Sequence, residues 1–110
     1  MYTLLLRNNG NLEIFEGIEP HWQKVWESET AQNETGMYKL KMQEDNNIVM
    51  RDSNSNLIWA TRTWNQGTEN KGWATLKDDG NFVLYGSEGE DGPVLWASHG
   101  EWGSFNFVFN

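Results

Sequence analysis

Apolar residues fall into short alternating runs along this chain, and the runs recur. Met37-Tyr38-Lys39-Leu40-Lys41-Met42 alternates with period two, the spacing of a strand with one buried face. Asn9-Gly10, Asn46-Asn47 and Asp79-Gly80 are dipeptides suited to tight turns, and strand-like residues resume after each, over 47–51 and 81–85 in the later two. Helical periodicity is absent. The segments Leu6–Phe15, Met42–Arg51 and Leu76–Tyr85 align as three copies of one pattern, headed at the second place by Arg7, Gln43 and Lys77, 36 and 34 residues apart. The first, seventh and ninth places are apolar in every copy, and the sixth is asparagine: Asn11, Asn47, Asn81.

A second landmark follows each copy: Val25-Trp26-Glu27-Ser28, Ile58-Trp59-Ala60-Thr61 and Leu95-Trp96-Ala97-Ser98. The tryptophans are 33 and 37 residues apart, so length differences fall in the loops between landmarks. Each copy therefore predicts a hairpin, a loop and a short strand carrying tryptophan. The chain reads as one domain, 1–110, of three repeats at about 1–30, 31–65 and 66–110. No unit of this size buries its apolar face alone, so the three are expected to share a core around a pseudo-threefold axis. Trp26, Trp59 and Trp96 are placed in that core rather than against a ligand. Ser104–Asn110 predicts a last strand with Phe105, Phe107 and Phe109 on one face. Such a strand would complete the first unit or pair with a second chain to form a homodimer, because an uncovered edge of this kind invites aggregation.

Parity then separates two faces. Even positions such as Ile48, Met50, Phe82 and Leu84 are assigned to the core. Odd positions, Gln43, Asp45, Asn47, Val49 and Arg51 in the second copy and Lys77, Asp79, Asn81, Val83 and Tyr85 in the third, are assigned to an outer concave face. Carboxylate, amide and hydroxyl groups offer donors and acceptors, and valine offers a small apolar contact. That set suits a compact ligand with several hydroxyls and a C–H patch, which describes a sugar. Asp and Asn beside a tight turn also serve the turn itself, since their side chains bond nearby backbone. Composition narrows the partners. A net charge of -8, from 16 acidic and 8 basic residues, lacks the basic footprint of nucleic-acid binding. With no cysteine, disulfides and thiolate metal sites are excluded, which suits a reducing compartment. No segment is long enough for a membrane span or a signal-peptide core, so the expected location is cytoplasmic, or secreted without a leader visible in this chain.

The pattern Gln-x-Asp-x-Asn-x-Val-x-Tyr, in three copies each trailed by an apolar-Trp pair, resembles the bulb-type (monocot) mannose-binding lectins over almost the whole chain. The resemblance implies an all-β, β-prism II fold: three antiparallel four-stranded sheets around a pseudo-threefold axis. It implies mannose or high-mannose glycans as partners, with no cofactor and no metal. It also implies roles: Asp79 and Asn81, like Asp45 and Asn47, for the axial 2-hydroxyl, the place of Gln43 for the 3-hydroxyl, that of Tyr85 for the 4-hydroxyl, and Val49 or Val83 against the ring carbons. No copy is complete. Arg51 stands in the tyrosine place and Lys77 in the glutamine place; lysine donates but cannot accept. The first copy holds Arg7, Asn9, Asn11, Glu13 and Phe15, with no carboxylate at the aspartate place and a charge where the valine belongs. It is expected to be inactive toward mannose.

Other readings are weaker. A sugar hydrolase needs two carboxylates across one cleft, whereas Asp45 and Asp79 belong to different repeats, and no Ser-His or Cys-His set has a recognisable context. No catalytic residue is therefore assigned. The alternative function is a protein-interaction or assembly module that keeps a lectin fold with degenerate sugar sites. A β-trefoil, the alternative fold, usually carries Gln-x-Trp, absent here. Trp22, Trp64, Trp73 and Trp102 lie outside the repeat and are expected to pack structurally. His21 and His99 lack metal-ligand spacing and are expected at the surface, and the acidic loop Ser87–Pro93 reads as a solvated turn rather than a calcium loop. Asn33-Glu34-Thr35 fits a glycosylation sequon, relevant only to a secreted chain.

Overall fold

The computed structural model describes residues 1–67 and 72–100. The expected strand at 104–110, its part in pairing two chains, and Trp102 lie outside these residues. Among the described residues, nine strands form three antiparallel sheets, each in chain order. The first holds β1 (Tyr2–Leu6), β2 (Leu12–Glu16) and β3 (Gln23–Glu27). The second holds β4 (Lys39–Met42), β5 (Ile48–Arg51) and β6 (Leu57–Ala60). The third holds β7 (Trp73–Leu76), β8 (Phe82–Tyr85) and β9 (Val94–Ala97). The resemblance implied four strands per sheet; among the described residues each sheet has three. The repeat extends to the irregularities, because the register slips at the same place in each sheet, between Ile14 and Phe15, Met50 and Arg51, and Leu84 and Tyr85. Such bulges increase the local twist, which lets three short sheets curve around one axis.

The core forms where the sequence places it. Ile14, Ile48, Phe82 and Leu84 are its buried centre, with Leu4, Leu40, Met42 and Leu76 packed against them. Trp26, Trp59 and Trp96 meet edge to face in a closed ring, with centroids 6.4, 5.8 and 5.4 Å apart and planes crossing at 67°, 75° and 79°. This geometry sets the positive edge of one indole against the negative face of the next, and adds about 0.5–1.5 kcal/mol per pair beyond area burial. The odd positions differ from the sequence reading. Parity alone places Asn47, Val49, Asn81, Val83 and Tyr85 on an open outer face, yet all are buried. Each lies on a central strand or at its start, with flanking chain on both sides. Lys41 stands opposite Val49 and Thr75 opposite Val83 in the register.

A second ring of contacts closes the repeats on one another. The turn residues Gly10, Asn46 and Gly80 are equivalent, and all are left-handed, with φ of 89°, 70° and 87°. A Cβ on Gly10 would lie 2.9 Å from the Tyr38 ring, and one on Gly80 2.6 Å from the Tyr2 ring, so each turn glycine is the floor for a tyrosine from a neighbouring repeat. At the third contact the sizes are exchanged. Gly72 occupies the tyrosine place, and a Cβ there would lie 2.8 Å from Asn46 Oδ1. Asn46 fills the space the ring would take. Its Oδ1 accepts from Gly72 N at 2.8 Å and its Nδ2 donates to Gln66 O at 2.7 Å, with the residue 1% exposed.

The exchange predicts coupling. Gly72→Tyr alone should overpack the contact, and Asn46→Gly alone should open it while losing the amide bonds, at about 1–3 kcal/mol each. The double variant should rebuild the tyrosine–glycine contact and lose at least about 1 kcal/mol less than the two combined. Urea midpoints of the four proteins measure this, and strict additivity would rule the compensation out.

Candidate functional site

The site begins with a turn built identically in all three copies. Asn9, Asp45 and Asp79 each accept through Oδ1 from the backbone N–H two residues on, at Asn11, Asn47 and Asn81, all at 3.0 Å. Backbone bonds close the same hairpin, from Gly10 N to Arg7 O, Asn46 N to Gln43 O, and Gly80 N to Lys77 O. The sixth-place asparagine then ties the hairpin to the chain after the tryptophan strand. Asn11 Oδ1 accepts from Thr30 N at 3.1 Å, Asn47 Oδ1 from Thr63 N at 3.2 Å, and Asn81 Oδ1 from His99 N at 2.9 Å. Ser28, Thr61 and Ser98 hydroxyls reach the same oxygens. Turn and clamp together spend one oxygen of each side chain on the fold. The second oxygen of the aspartate and the amide Nδ2 of the asparagine are what a ligand could use.

The copies differ in those remaining groups. In the first, Asn9 stands at the aspartate place, so there is no second carboxylate oxygen, and the Asn11 amide is spent internally. Asn11 Nδ2 donates to Glu13 Oε2 at 2.6 Å and to Glu27 Oε1 at 2.8 Å. Glu13, in the valine place, is buried and takes Arg7 Nε at 2.8 Å, with Lys24 Nζ at 3.5 Å. Arg7 also lies 5.4 Å from the centre of the Phe15 ring, and Trp22 stacks on Phe15 at 4.5 Å. In the second copy, Asp45 Oδ2 and Asn47 Nδ2 have no hydrogen-bond partner among the described residues. In the third, Asp79 Oδ2 is likewise open, but Asn81 Nδ2 donates to Gly100 O at 3.0 Å. There Gly100 stands in the place of Thr30 and Thr63, four residues after the tryptophan, the clamp N–H comes from His99 instead, and the asparagine amide donates to the Gly100 carbonyl.

Two surface depressions adjoin these turns. Gln43, Val49 and Arg51 line a cleft of about 270 Å³ together with Lys39, Lys41, Asp52, Ser53 and Ser55. Asp45 and Asn47 stand at the turn, outside its wall. Lys77 and Asp79 line a more open depression of about 370 Å³ with Thr75, Leu76, Asp78 and Glu90, while buried Asn81, Val83 and Tyr85 lie outside that wall. The Lys77 ammonium is held above its ordinary pKa, first by the hydrogen bond and charge of Tyr85, then, against the opposing effect of burial, by Glu90 and Asp79. Lys39, Lys41 and Glu90 were not singled out in the sequence. The lysines were legible, because Lys39, Lys41 and Gln43 share one parity of an alternating run; Glu90 sits in the loop read only as a solvated turn. Trp22 packs as expected, whereas Trp64 and Trp73 are 56% and 43% exposed, because neither side chain is drawn into the axial core. His21 is exposed; His99 is half-buried, its backbone serving the Asn81 clamp and its Nδ1 lying 3.0 Å from Ser98 Oγ. Among the described residues, no group of three or more His, Cys, Asp or Glu could hold a metal.

The profile of the D-mannose binding lectin family (B_lectin) matches residues 25–105. The chain belongs to that family. Mannose-specific lectins are among its relatives: one from Aloe arborescens is 27% identical over 100 residues, covering 88% of this chain and 78% of that protein. One from Dendrobium findlayanum is 46% identical over 55 residues, covering 50% of this chain. A G-type lectin S-receptor-like serine/threonine-protein kinase of Arabidopsis thaliana is 32% identical over 74 residues, covering 67% of this chain. The lectin chain spans 31% of the Dendrobium protein and 8% of the kinase. Among solved structures, a monomeric monocot mannose-binding lectin from Gastrodia elata superimposes with a TM-score of 0.68 at 31% identity, over 90% of this chain and 79% of that one. With its three antiparallel sheets, the fold is the β-prism II that the family resemblance implied.

Glu13 gives the first copy a pH signature. Burial raises its pKa, but hydrogen bonds from Arg7 and Asn11 and the charges of Lys24 and Arg7 outweigh burial and hold it below its ordinary 4.5. Its contribution to stability is thus complete above about pH 4.5 and is lost as pH falls through the lowered value. Glu13→Gln should cost about 1–2 kcal/mol at neutral pH. That difference should shrink as the solution is acidified below pH 4.5, in urea titrations of both proteins. A difference constant with pH would mean the charge contributes nothing.

Proposed function

We propose that this lectin domain binds mannose or mannose-containing glycans without catalysis, through its second and third copies and not its first. The observation that carries this reading is the fate of the motif's ligand-facing groups. The asparagine amide is spent within the first copy, which has no carboxylate at the aspartate place; the aspartate oxygen and the amide are both open in the second, and the aspartate oxygen alone is open in the third. The family resemblance assigns Asp45 and Asn47 to the axial 2-hydroxyl, Gln43 to the 3-hydroxyl and Val49 to the ring carbons, with Arg51 in place of the usual tyrosine. The names of the Aloe, Dendrobium and Gastrodia relatives support the same sugar. In the third copy Asp79 and Lys77 flank the depression, and Asn81 binds only by giving up its bond to Gly100. The second copy is therefore the stronger site. A site that hydrogen-bonds an axial hydroxyl discriminates against glucose, because its buried polar groups would be left unpaired. The noncatalytic reading is supported by the separation of Asp45 and Asp79 on different sheets, where no pair of carboxylates faces one glycosidic bond.

A second reading has its own support. The self-filled first copy and the exposed Trp64 and Trp73 suit a domain that contacts another protein. One titration decides between them. Methyl α-mannoside added to the chain should shift backbone NMR signals over 43–51 and 77–85, leave 7–15 unmoved, and be matched by no response to methyl α-glucoside. Asp45→Asn is the informative variant, because Asn9 makes the same turn bond at 3.0 Å, so the turn survives while the carboxylate is lost. It should weaken the second copy about tenfold or more and leave the third unchanged. No response to millimolar mannoside would favour the protein-contact reading.

A further inference from the structure

The two open copies carry opposite charge. The third is bordered by three carboxylates, Asp78, Asp79 and Glu90, against the single cation Lys77, which lies 4.0 Å from Glu90. The second is bordered by Lys39, Lys41 and Arg51, a concentration of cations in a chain of net charge -8. Lys39 and Arg51 are direct cross-strand partners, and Lys41 faces Val49 two pairs closer to the turn, on the same face of the sheet. Like charges directly opposite on a sheet destabilise it. Among the described residues no carboxylate ion-pairs with any of the three cations. Asp52 also lines the cleft, but its oxygens are committed to its own loop. Oδ1 accepts from Asn54 N and Asn56 N, both at 2.9 Å, and Oδ2 from Asn56 Nδ2 at 3.1 Å. Arg51 gives one N–H to Ser55 O at 3.1 Å and keeps the rest of its fork. The fold thus holds three cations beside the ligand-facing groups at a cost that a bound anion would relieve.

We propose that the second copy selects mannosides bearing an anionic ester, a phosphate or a sulfate. The ring lies at the turn, on Asp45, Asn47, Gln43 and Val49, and the ester extends along the strands toward Lys41, Arg51 and Lys39. Strand rise puts Lys41 about 7 Å and Lys39 about 13 Å from Gln43, within reach of an ester on the same ring once the long side chains bend toward it. This rests on the mannose reading of the second copy, and the experiment separates the two.

The full chain is titrated, with NMR detection at low and high salt, with methyl α-mannoside, mannose 6-phosphate, mannose 6-sulfate and inorganic phosphate. At low salt the charged sugars should bind the second copy roughly fivefold or more tightly than the neutral one, and the gain should fade as salt is added. The third copy should show no gain. Lys39→Gln with Lys41→Gln should erase the gain while leaving methyl α-mannoside affinity intact. A gain for only one ester identifies the group that fits. Equal affinity for neutral and charged sugars at 43–51 overturns this proposal and leaves the mannose reading standing. So does a gain that survives the double lysine variant, or inorganic phosphate binding as tightly as the sugar esters. If no mannoside, neutral or charged, shifts 43–51, both readings of that copy fail.

Discussion

One carboxamide in each repeat holds the structure together. The oxygen of Asn11, Asn47 or Asn81 accepts from the backbone just beyond the tryptophan strand, and so fixes the distance between hairpin and third strand. That distance decides whether Trp26, Trp59 and Trp96 reach the axis together. Each sheet is too small to bury its own apolar face, and the three become a domain only when their central strands share one core. The same side chain has its nitrogen on the opposite side of the amide. Clamp and candidate sugar contact are therefore two ends of one group, which is why the fold survives in a copy whose ligand-facing end has been turned to another use.

The first copy shows that use. Once Glu13 takes the valine place, a buried carboxylate needs partners, and Asn11, Arg7 and Lys24 supply them. What would be a hydroxyl-binding surface becomes an internal polar network that Phe15 and Trp22 flank. The second and third copies keep the turn and the clamp but differ in electrostatics, because their flanking strands and loops carry unlike charges. The scaffold is threefold in geometry, and each face is chemically distinct.

Much of this was legible in the sequence, because its information is periodic. The three alignments of Leu-x5-Leu-x-Ile type located the central strands, the turn dipeptides located the hairpins, and the trailing tryptophans located the axis. What escaped depends on contacts between repeats rather than within them. Asn46-Asn47 reads as an ordinary turn pair, and nothing local reveals that Asn46 reaches Gly72 and Gln66. The burial of Val49, Val83 and Tyr85 depends on the strands and loops beside them, which parity alone does not count. The gathering of Lys39 and Lys41 with Arg51 follows from register, and register becomes definite only once the hairpin has formed.

The exchanged sizes at Asn46 and Gly72 bear on how the chain finds its own arrangement. Three similar hairpins could in principle dock in the wrong cyclic order, or with the hairpins of another molecule. Two of the contacts, Tyr38 on Gly10 and Tyr2 on Gly80, are interchangeable in shape. The third is not: a tyrosine brought against Asn46 would collide with it, and Gly72 brought against a turn glycine would leave a hole. One irregular joint among three thus acts as an address, giving a nearly symmetric chain a single starting point for assembly.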